Sequence, residues 1–251
     1  KEALVSLAER GAVTVLCGSK GMPSALVLPV NANYESALRI RVQSQASQPL
    51  KKRLWQAIVT AKLKHQSEVL RFFENQKKAN QIGVYAQQVQ SGDPQNREAS
   101  GARIYWKALF GNDFSRRPAG DWPNGFLNYG YALLRAYAAR AICAAGLAPI
   151  FGIHHENSTN PFPLADDIME PYRPLVDFYV KQIIASDINE LNSNAKQMIS
   201  AFLWADLYLD GETTPLHVAM ERLAYSLVNS FKSKKPQIEI AELRLKKDDP
   251  A

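Results

Sequence analysis

The helical spacing of apolar residues constrains the fold most, because it runs from residue 34 almost to the C-terminus. The segment 50–73 is the clearest case, since Leu54, Ile58, Leu63 and Leu70 fall near one face of a helix. Lysines and arginines of this segment, Lys62 among them, are predicted on its other faces. The predicted helices are 35–46, 50–73, 96–110, 124–145, 164–186, 191–208 and 216–234, with a short one at 84–90. Apolar stripes of this kind predict a core of helices packed on helices.

Strand patterns are confined to short segments at the two ends of the chain. After an amphipathic helix at 1–10, residues 12–17 and 25–30 are rich in β-branched and apolar residues and flank a turn at 18–23. Residues 238–243 alternate like an edge strand. Two strands and a helix cannot bury a sheet face alone, so upstream strands are expected to be missing. The predicted fold class is α+β, with the remnant of a small N-terminal β domain at 1–33. A larger all-α domain follows at 34–251, with a short C-terminal strand and a frayed tail.

Composition favours a cytoplasmic protein with a polyanionic partner. The formal net charge of +6 fits nucleic acid binding without requiring it. The longest apolar run, 125–149, is interrupted by Arg135 and Arg140, which predicts a buried helix and no membrane partner. The first ten residues lack the features of a signal peptide, and two cysteines form no disulfide framework.

Three places combine acids or histidines in patterns that could carry chemistry. Glu98 precedes a run of very small residues, two histidines stand at 154 and 155, and Asp166 and Asp167 precede Glu170 at helical spacing. Carboxylates on one helical face repel each other, so water or a divalent cation must offset them. A histidine with carboxylates suits Mn²⁺ or Mg²⁺ in a phosphoryl-transfer site. Two simpler interpretations stay open: acids that complement a helix N-terminus, and histidines that only make loop hydrogen bonds.

Four motifs resemble, in the family's order, those of CRISPR-associated protein one, the integrase that inserts new spacers in antiviral defence. They are EASGARIYW at 98–106, NGFLNYGYALL at 124–134, GIHH at 152–155 and LADDIMEPYRP at 164–174. The resemblance covers nearly the whole chain and is greatest to the type II branch. It implies a divalent-metal-dependent DNA integrase that joins the 3′-OH ends of captured fragments to the CRISPR repeat by transesterification. Endonuclease activity, with water in place of the 3′-OH, would use the same site.

The resemblance also implies the site residues. The family's metal ligands and catalytic residues fall on Glu98, His155 and Glu170, with Mn²⁺ or Mg²⁺ as the cofactor. His154 is then a neighbour, and Asp167 either supports the ligands or faces DNA. His155 could act as a ligand or a proton acceptor. Glu156 and Asp166 are expected to be solvated or hydrogen-bonded.

Substrate contacts and partners follow from the same resemblance. Cations predicted to contact DNA backbone are Lys51, Lys52, Arg53, Arg97, Arg103, Arg116, Arg117 and Arg173, each with a solvated or ion-paired surface charge as the alternative. Asn128, one turn from Tyr131, could contact DNA, orient a ligand or pack between helices. The implied assembly is a homodimer that joins CRISPR-associated protein two in a heterohexamer on double-stranded DNA.

Two other functions remain open at this point. One is a non-catalytic DNA-binding or scaffold subunit, and the other is a general metal-dependent repair nuclease. The catalytic interpretation requires Glu98, His155 and Glu170 to converge on one surface.

Overall fold

The computed structural model describes residues 2–18, 23–29, 33–117, 122–155 and 157–245. In this part of the chain the α-helices are α1 (Glu2–Glu9), α2 (Ser36–Ser44), α3 (Gln48–Phe72), α4 (Gln76–Gln87), α5 (Arg97–Phe110), α6 (Asn124–Ala144), α7 (Pro163–Met169), α8 (Arg173–Ala185), α9 (Ser193–Ser200) and α10 (Leu216–Ser233). The strands are β1 (Thr14–Cys17), β2 (Pro23–Val27), β3 (Asp206–Leu209) and β4 (Glu212–Pro215). Short 3₁₀ turns occupy Glu170–Tyr172 and Ala201–Trp204.

Helix α3 lies at the centre of the helical core. It packs against α4, α5, α7, α8 and the 3₁₀ turn at Glu170–Tyr172, while α6 packs against α7, α8, α9 and α10. Leu54, Ile58, Leu63 and Leu70 are fully buried, as their spacing predicts. Pro49 at the start of α3 suits a first turn, where its missing N–H costs no hydrogen bond. The predicted helix-on-helix core is confirmed.

The surface prediction for Lys62 is wrong. Lys62 is only 7% exposed and lies on the face of α3 that also buries Trp55, Ile58 and Val59. The helical period explains this position, because residue 62 follows residue 58 by about one turn. A lysine at a buried helical position needs partners for its ammonium, and the site described below supplies them.

The N-terminal strands pair as a two-stranded antiparallel hairpin, with Thr14 opposite Val27. Two strands cannot bury a sheet face by themselves. Leu26 and Leu28 pack against the helical core, and β2 lies against α6. The α+β class with a small N-terminal β part is therefore confirmed, with β2 beginning and ending a few residues earlier than predicted.

The helix predicted at 191–208 is wrong over its second half. It ends at Ser200, and after a 3₁₀ turn the chain forms the β3–β4 hairpin. Asp210 and Gly211 connect the two strands with positive φ angles of 53° and 89°. An Asp-Gly pair between short apolar-polar alternations is a strong hairpin signal, because both turn positions require φ above zero. The short helix predicted at 84–90 is also displaced, since α4 begins at Gln76 and ends at Gln87.

The C-terminal segment 236–245, here called the strap, runs extended without becoming a regular strand. Its one β-bridge joins Glu242 to Tyr208 on β3. Every second backbone N–H of the strap donates to a side chain of the helical core. The donors 237, 239, 241, 243 and 245 reach Ser230, Ser226, the Tyr172 hydroxyl, His65 and Glu68, in that order. The predicted strand at 238–243 is thus an extended strap held by side chains, and the tail at 246–251 lies outside the described residues.

Across the described residues, no helix is both long enough and apolar enough to cross a bilayer.

Candidate active site

A pocket of about 650 Å³ opens between α6, the 152–155 loop and the junction of α7 with α8. Its lining is rich in charged and polar side chains. It consists of Arg116, Asn128, Tyr131, Ala132, Arg135, His155, Asp166, Met169, Glu170 and Arg173. Two of the three predicted catalytic residues, His155 and Glu170, therefore face one cavity.

Glu170 stands where the long predicted helix breaks. The chain forms a 3₁₀ turn from Glu170 to Tyr172, which divides the predicted helix 164–186 into α7 and α8. This change in helical geometry directs a carboxylate that is only 3% exposed into the core beside α3. Burial alone would raise the pKa of Glu170, but the charges of Arg173 and Lys62 lower it further than burial raises it. Glu170 is therefore a buried anion held by two cations.

Glu98 reaches the same place from the first turn of α5. The Lys62 Nζ lies 2.6 Å from Glu98 Oε1 and 2.5 Å from Glu170 Oε2. Burial lowers the pKa of Lys62, but the charges of Glu170 and Glu98 outweigh burial and raise it. The start of α5 is fixed by Asp93, whose two carboxylate oxygens accept the N–H groups of residues 97 and 98. Two predicted ligands thus meet at one buried ammonium.

Close packing of α5 on α3 makes this meeting possible. A Cβ at Gly101 would lie 2.3 Å from Leu63 Cδ2, so a larger residue here would have to push the buried Leu63 side chain aside. Gly101 belongs to the run of very small residues that follows Glu98, and it is the position at which α5 contacts the Leu63 side chain of α3.

His155 is oriented by Asp167, which is completely buried. The Asp167 Oδ1 lies 2.6 Å from His155 Nδ1. This hydrogen bond raises the pKa of His155, against the opposing effect of burial. A carboxylate on one ring nitrogen leaves Nε2 as the nitrogen that can bind a metal, which is the usual support of a metal-bound histidine. Of the two roles predicted for Asp167, the structure places it behind His155 and away from solvent.

Asp167 also shapes the loop that carries the histidines. It accepts the backbone N–H groups of Ile153, His154 and His155 at 2.5, 3.0 and 3.2 Å. Gly152 is needed here as well, because a Cβ would meet the His155 carbonyl oxygen at 2.3 Å. His154 stacks on Trp55 with ring centroids 4.1 Å apart, so it faces away from the pocket lining, as a neighbouring residue should.

A cationic wall, formed by Arg116 and Arg173 around Tyr131, belongs to the same pocket lining as His155. The Arg173 NH1 lies 2.6 Å from Glu170 Oε1, and its guanidinium stands 4.2 Å from the Tyr131 ring centroid. Arg116 stands 5.2 Å from the same ring and donates to Asn128 Oδ1 at 2.7 Å. Tyr131 donates its hydroxyl to Asp177, whose pKa burial raises to about 6 although Tyr131 and Arg173 lower it. The wall presents fixed positive charge to any anion in the pocket.

The other predicted residues are distributed more widely. Asp166 pairs with Arg135 at 2.7 Å and accepts from Asn160, which is the hydrogen-bonding role expected for it. Glu156 lies outside the described residues. The predicted DNA-contacting cations that do not line this pocket are Lys51, Lys52, Arg53, Arg97, Arg103 and Arg117. They lie at least partly exposed on α3, on α5 and in the loop before residue 118.

The donor set and the present geometry give different answers about a metal. Two carboxylates and an imidazole presented through Nε2 suit Mn²⁺ or Mg²⁺ by ligand type. Glu170 Oε2 is buried, and its partner within the described residues is the ammonium of Lys62, in an ion pair at 2.5 Å. However, among the residues that the structure describes, no three His, Cys, Asp or Glu side chains are already arranged to hold a metal ion. The ligand types fit, and Lys62 stands between two of them.

Sequence reasoning missed Lys62, Arg135 and Asp177. Lys62 carried a usable signal, because its helical position coincides with the buried face of α3. For Arg135 and Asp177, the surrounding sequence does not distinguish a residue at the pocket from an ordinary surface or buried polar residue.

The comparisons with known proteins agree with this architecture. The family described as CRISPR associated protein Cas1 matches residues 1–203. The CRISPR-associated endonuclease Cas1 of Neisseria meningitidis serogroup C is 43% identical over 178 residues. The match covers 70% of this chain and 58% of that relative, so the chain spans less than two thirds of its length.

Two solved structures share the fold. A casposase bound to integration product superposes with a TM-score of 0.82 at 22% identity, covering 100% of this chain and 80% of the casposase. A Cas6-RT-Cas1–Cas2 complex superposes with a TM-score of 0.75 at 20% identity, covering 98% of this chain and 31% of that one. The chain belongs to the Cas1 family of CRISPR-associated proteins.

Proposed function

We propose that the protein is a divalent-metal-dependent DNA integrase of CRISPR adaptation that also has endonuclease activity. The observation that carries the proposal is the meeting of Glu98 and Glu170 at one buried cation, beside a pocket lined by His155. Membership of the Cas1 family and the endonuclease name of the Neisseria relative support a nuclease or integrase. The casposase of similar fold is described as bound to an integration product, which favours joining over cutting alone.

Glu98, His155 through Nε2, and Glu170 would hold Mn²⁺ or Mg²⁺. A divalent ion so bound supplies charge that polarises a phosphodiester and stabilises the departing oxygen. The chain itself orients the ligands, because Asp167 fixes the His155 ring and Arg173 fixes one oxygen of Glu170. Arg116, Arg135 and Arg173 line the cavity and provide positive charge for DNA phosphates. The attacking oxygen belongs to DNA, so no side chain needs to form a covalent intermediate.

The proposed substrates are double-stranded DNA fragments with 3′-OH ends and the CRISPR repeat. Backbone contacts would suit fragments of any sequence, and the exposed cations on α3, on α5 and before residue 118 are the candidates outside the pocket. We further propose a homodimer that assembles with CRISPR-associated protein two, since 31% of a chain of the Cas6-RT-Cas1–Cas2 complex shares this fold. Such a system places the protein in the prokaryotic cytoplasm.

The test is joining of a labelled 3′-OH duplex into a plasmid that carries a CRISPR repeat, with Mn²⁺ and the partner protein present. Wild type is expected to produce joined product, and His155→Ala and Glu170→Ala are expected to produce none. His154→Ala is the matched control, because this exposed neighbour lies outside the pocket lining.

Each result separates the proposal from its rivals. Cutting without joining would favour the repair nuclease. DNA binding without either activity would favour the scaffold subunit. Full joining by both variants would overturn the residue assignment.

A further inference from the structure

Lys62 occupies a position that the proposed reaction does not explain. Its ammonium is bound by the two carboxylates that are proposed to hold the metal, at 2.6 and 2.5 Å. It comes from the buried face of α3, whose backbone is fixed by packing against α4, α5 and α8. With the backbone of α3 held in this way, Lys62 can leave the two glutamates only by rotation of its side chain.

The charge balance of the cluster limits what can be bound together. Glu98 and Glu170 contribute two negative charges, and Lys62 and Arg173 contribute two positive charges within ion-pair distance. Adding a divalent cation with both side chains in place would leave an excess of two positive charges in a largely buried space. Uncompensated buried charge is strongly unfavourable, so one of the resident cations has to leave.

Lys62 is the one placed to leave. Arg173 holds Glu170 Oε1 and is supported on its other side by the Tyr131 ring. Lys62 holds Glu170 Oε2, which lacks a hydrogen bond of acceptable geometry, and a lysine ammonium sits on a flexible stem of four carbons. Its two oxygen contacts are longer than the roughly 2.1 Å at which Mg²⁺ binds oxygen, so a small inward shift of the carboxylates would suffice after it moves.

We propose that Lys62 is a resident counter-cation that keeps Glu98 and Glu170 together before metal binds, and that a divalent metal must displace it. Lys62 therefore competes with the metal and sets its affinity, acting as a positioning residue through the two glutamates. This inference rests on the proposed metal-dependent function. It adds an internal competitor, which ligand positions alone do not imply.

Replacing Lys62 tests the competition directly. Lys62→Met keeps a long apolar stem and removes the charge, so the carboxylate pair is left without its cation. Mn²⁺ should bind this variant at least tenfold more tightly than wild type. The metal-free variant should melt at lower temperature, and Mn²⁺ should raise its melting temperature more than that of wild type. Lys64→Met is the matched control, because Lys64 is exposed on the same helix.

The measurement is calorimetric titration of the three proteins with MnCl₂, together with thermal melts with and without Mn²⁺. If wild type binds Mn²⁺ and Lys62→Met binds it equally or more weakly, the inference alone is overturned. If wild type does not bind Mn²⁺, the proposed metal site is overturned and the inference with it.

A second measurement uses wild type, in case the metal-free variant does not fold. Reductive methylation followed by peptide mass spectrometry reports how accessible each lysine is. Lys62 should be modified slowly without metal and several-fold faster with Mn²⁺, while Lys64 should be modified at the same rate in both. Equal rates for Lys62 with and without bound Mn²⁺ would show that the metal does not displace it and would overturn the inference.

Discussion

Replacing Asp167 by Asn should both destabilise the protein and alter His155. Asp167 is fully buried and accepts four hydrogen bonds, three from the backbone of residues 153–155 and one involving the His155 ring. An asparagine has the same shape but only one acceptor oxygen. Either orientation of its amide turns an NH₂ group towards donors that Asp167 now accepts.

The cost follows from the bonds that are lost. Oδ2 accepts from Ile153 and His154, while Oδ1 serves His155 twice. Hydrogen bonds to a charged group contribute about 1.5–3 kcal/mol each, and two are lost in either orientation, with some relaxation of the loop. We expect a loss of about 3 kcal/mol in the free energy of unfolding, which for a chain of this size lowers the melting temperature by about 6–12 °C.

Two assays check the argument. Thermal unfolding measures the stability change, and an NMR titration measures the pKa of His155, which should fall because Asp167 is the main cause of its elevation. Affinity for Mn²⁺ should also fall by about 10–100-fold, as for other losses of a ligand-supporting carboxylate. Asp206→Asn is the control, since Asp206 is exposed on β3 and does not line the pocket. An Asp167→Asn protein with wild-type stability and an unchanged His155 pKa would refute the reasoning.

Three further predictions concern packing and pH. Gly152→Ala should abolish joining and lower the melting temperature, because the new Cβ would lie 2.3 Å from the His155 carbonyl oxygen; normal joining would contradict this. Gly101→Ala should cost about 1–3 kcal/mol in urea unfolding by forcing Leu63 aside; no change would contradict the close packing of α5 on α3. His65 has its pKa lowered to about 4 by burial, despite its hydrogen bond to Pro171. The unfolded chain takes up a proton at His65 at a higher pH than the folded protein does. The contribution of neutral His65 to the free energy of unfolding is therefore complete above pH 6.5 and is lost as pH falls towards 4, by about 1.4 kcal/mol per pH unit. The raised pKa of His155 gives the free energy of unfolding a pH dependence of the opposite sign, and both proteins share it. The His65 contribution is therefore measured as the difference in urea unfolding between wild type and His65→Gln from pH 7 to 5. Equal pH slopes in the two proteins would contradict the assignment.

The His65 prediction rests on a contact that links the strap to the candidate site. The His65 Nε2 accepts the backbone N–H of Leu243 at 3.1 Å, so the ring proton is on Nδ1 and donates to the Pro171 carbonyl at 2.6 Å. Pro171 directly follows Glu170. A protonated ring could not accept from Leu243, and the strap would lose one of its attachments to the turn that carries Glu170.

Much of the fold could be predicted because helices leave a local record. Apolar residues at helical spacing located α3, α5, α6 and α10 to within a few residues, since each helix buries one face whatever it packs against. The helix prediction 191–208 failed after Ser200, because the helical pattern runs on into β3, the first strand of the hairpin that turns at Asp210-Gly211. The strand predicted at 238–243 is an extended segment, because most of its backbone hydrogen bonds go to side chains of the helical core and one β-bridge joins it to β3.

The candidate site divides in the same way. The sequence by itself determined the helical core and, through its motifs, Glu98, His155 and Glu170 as residues to examine together. Only the tertiary structure decided that Lys62 joins the two glutamates and that Asp167 holds His155 from behind. Periodicity reports which face of a helix is buried, whereas the partner of a buried charge is set by how separate helices pack. The helical spacing can therefore show that Lys62 is buried, but its two partners are known only once α5 and the α7–α8 junction are placed against α3.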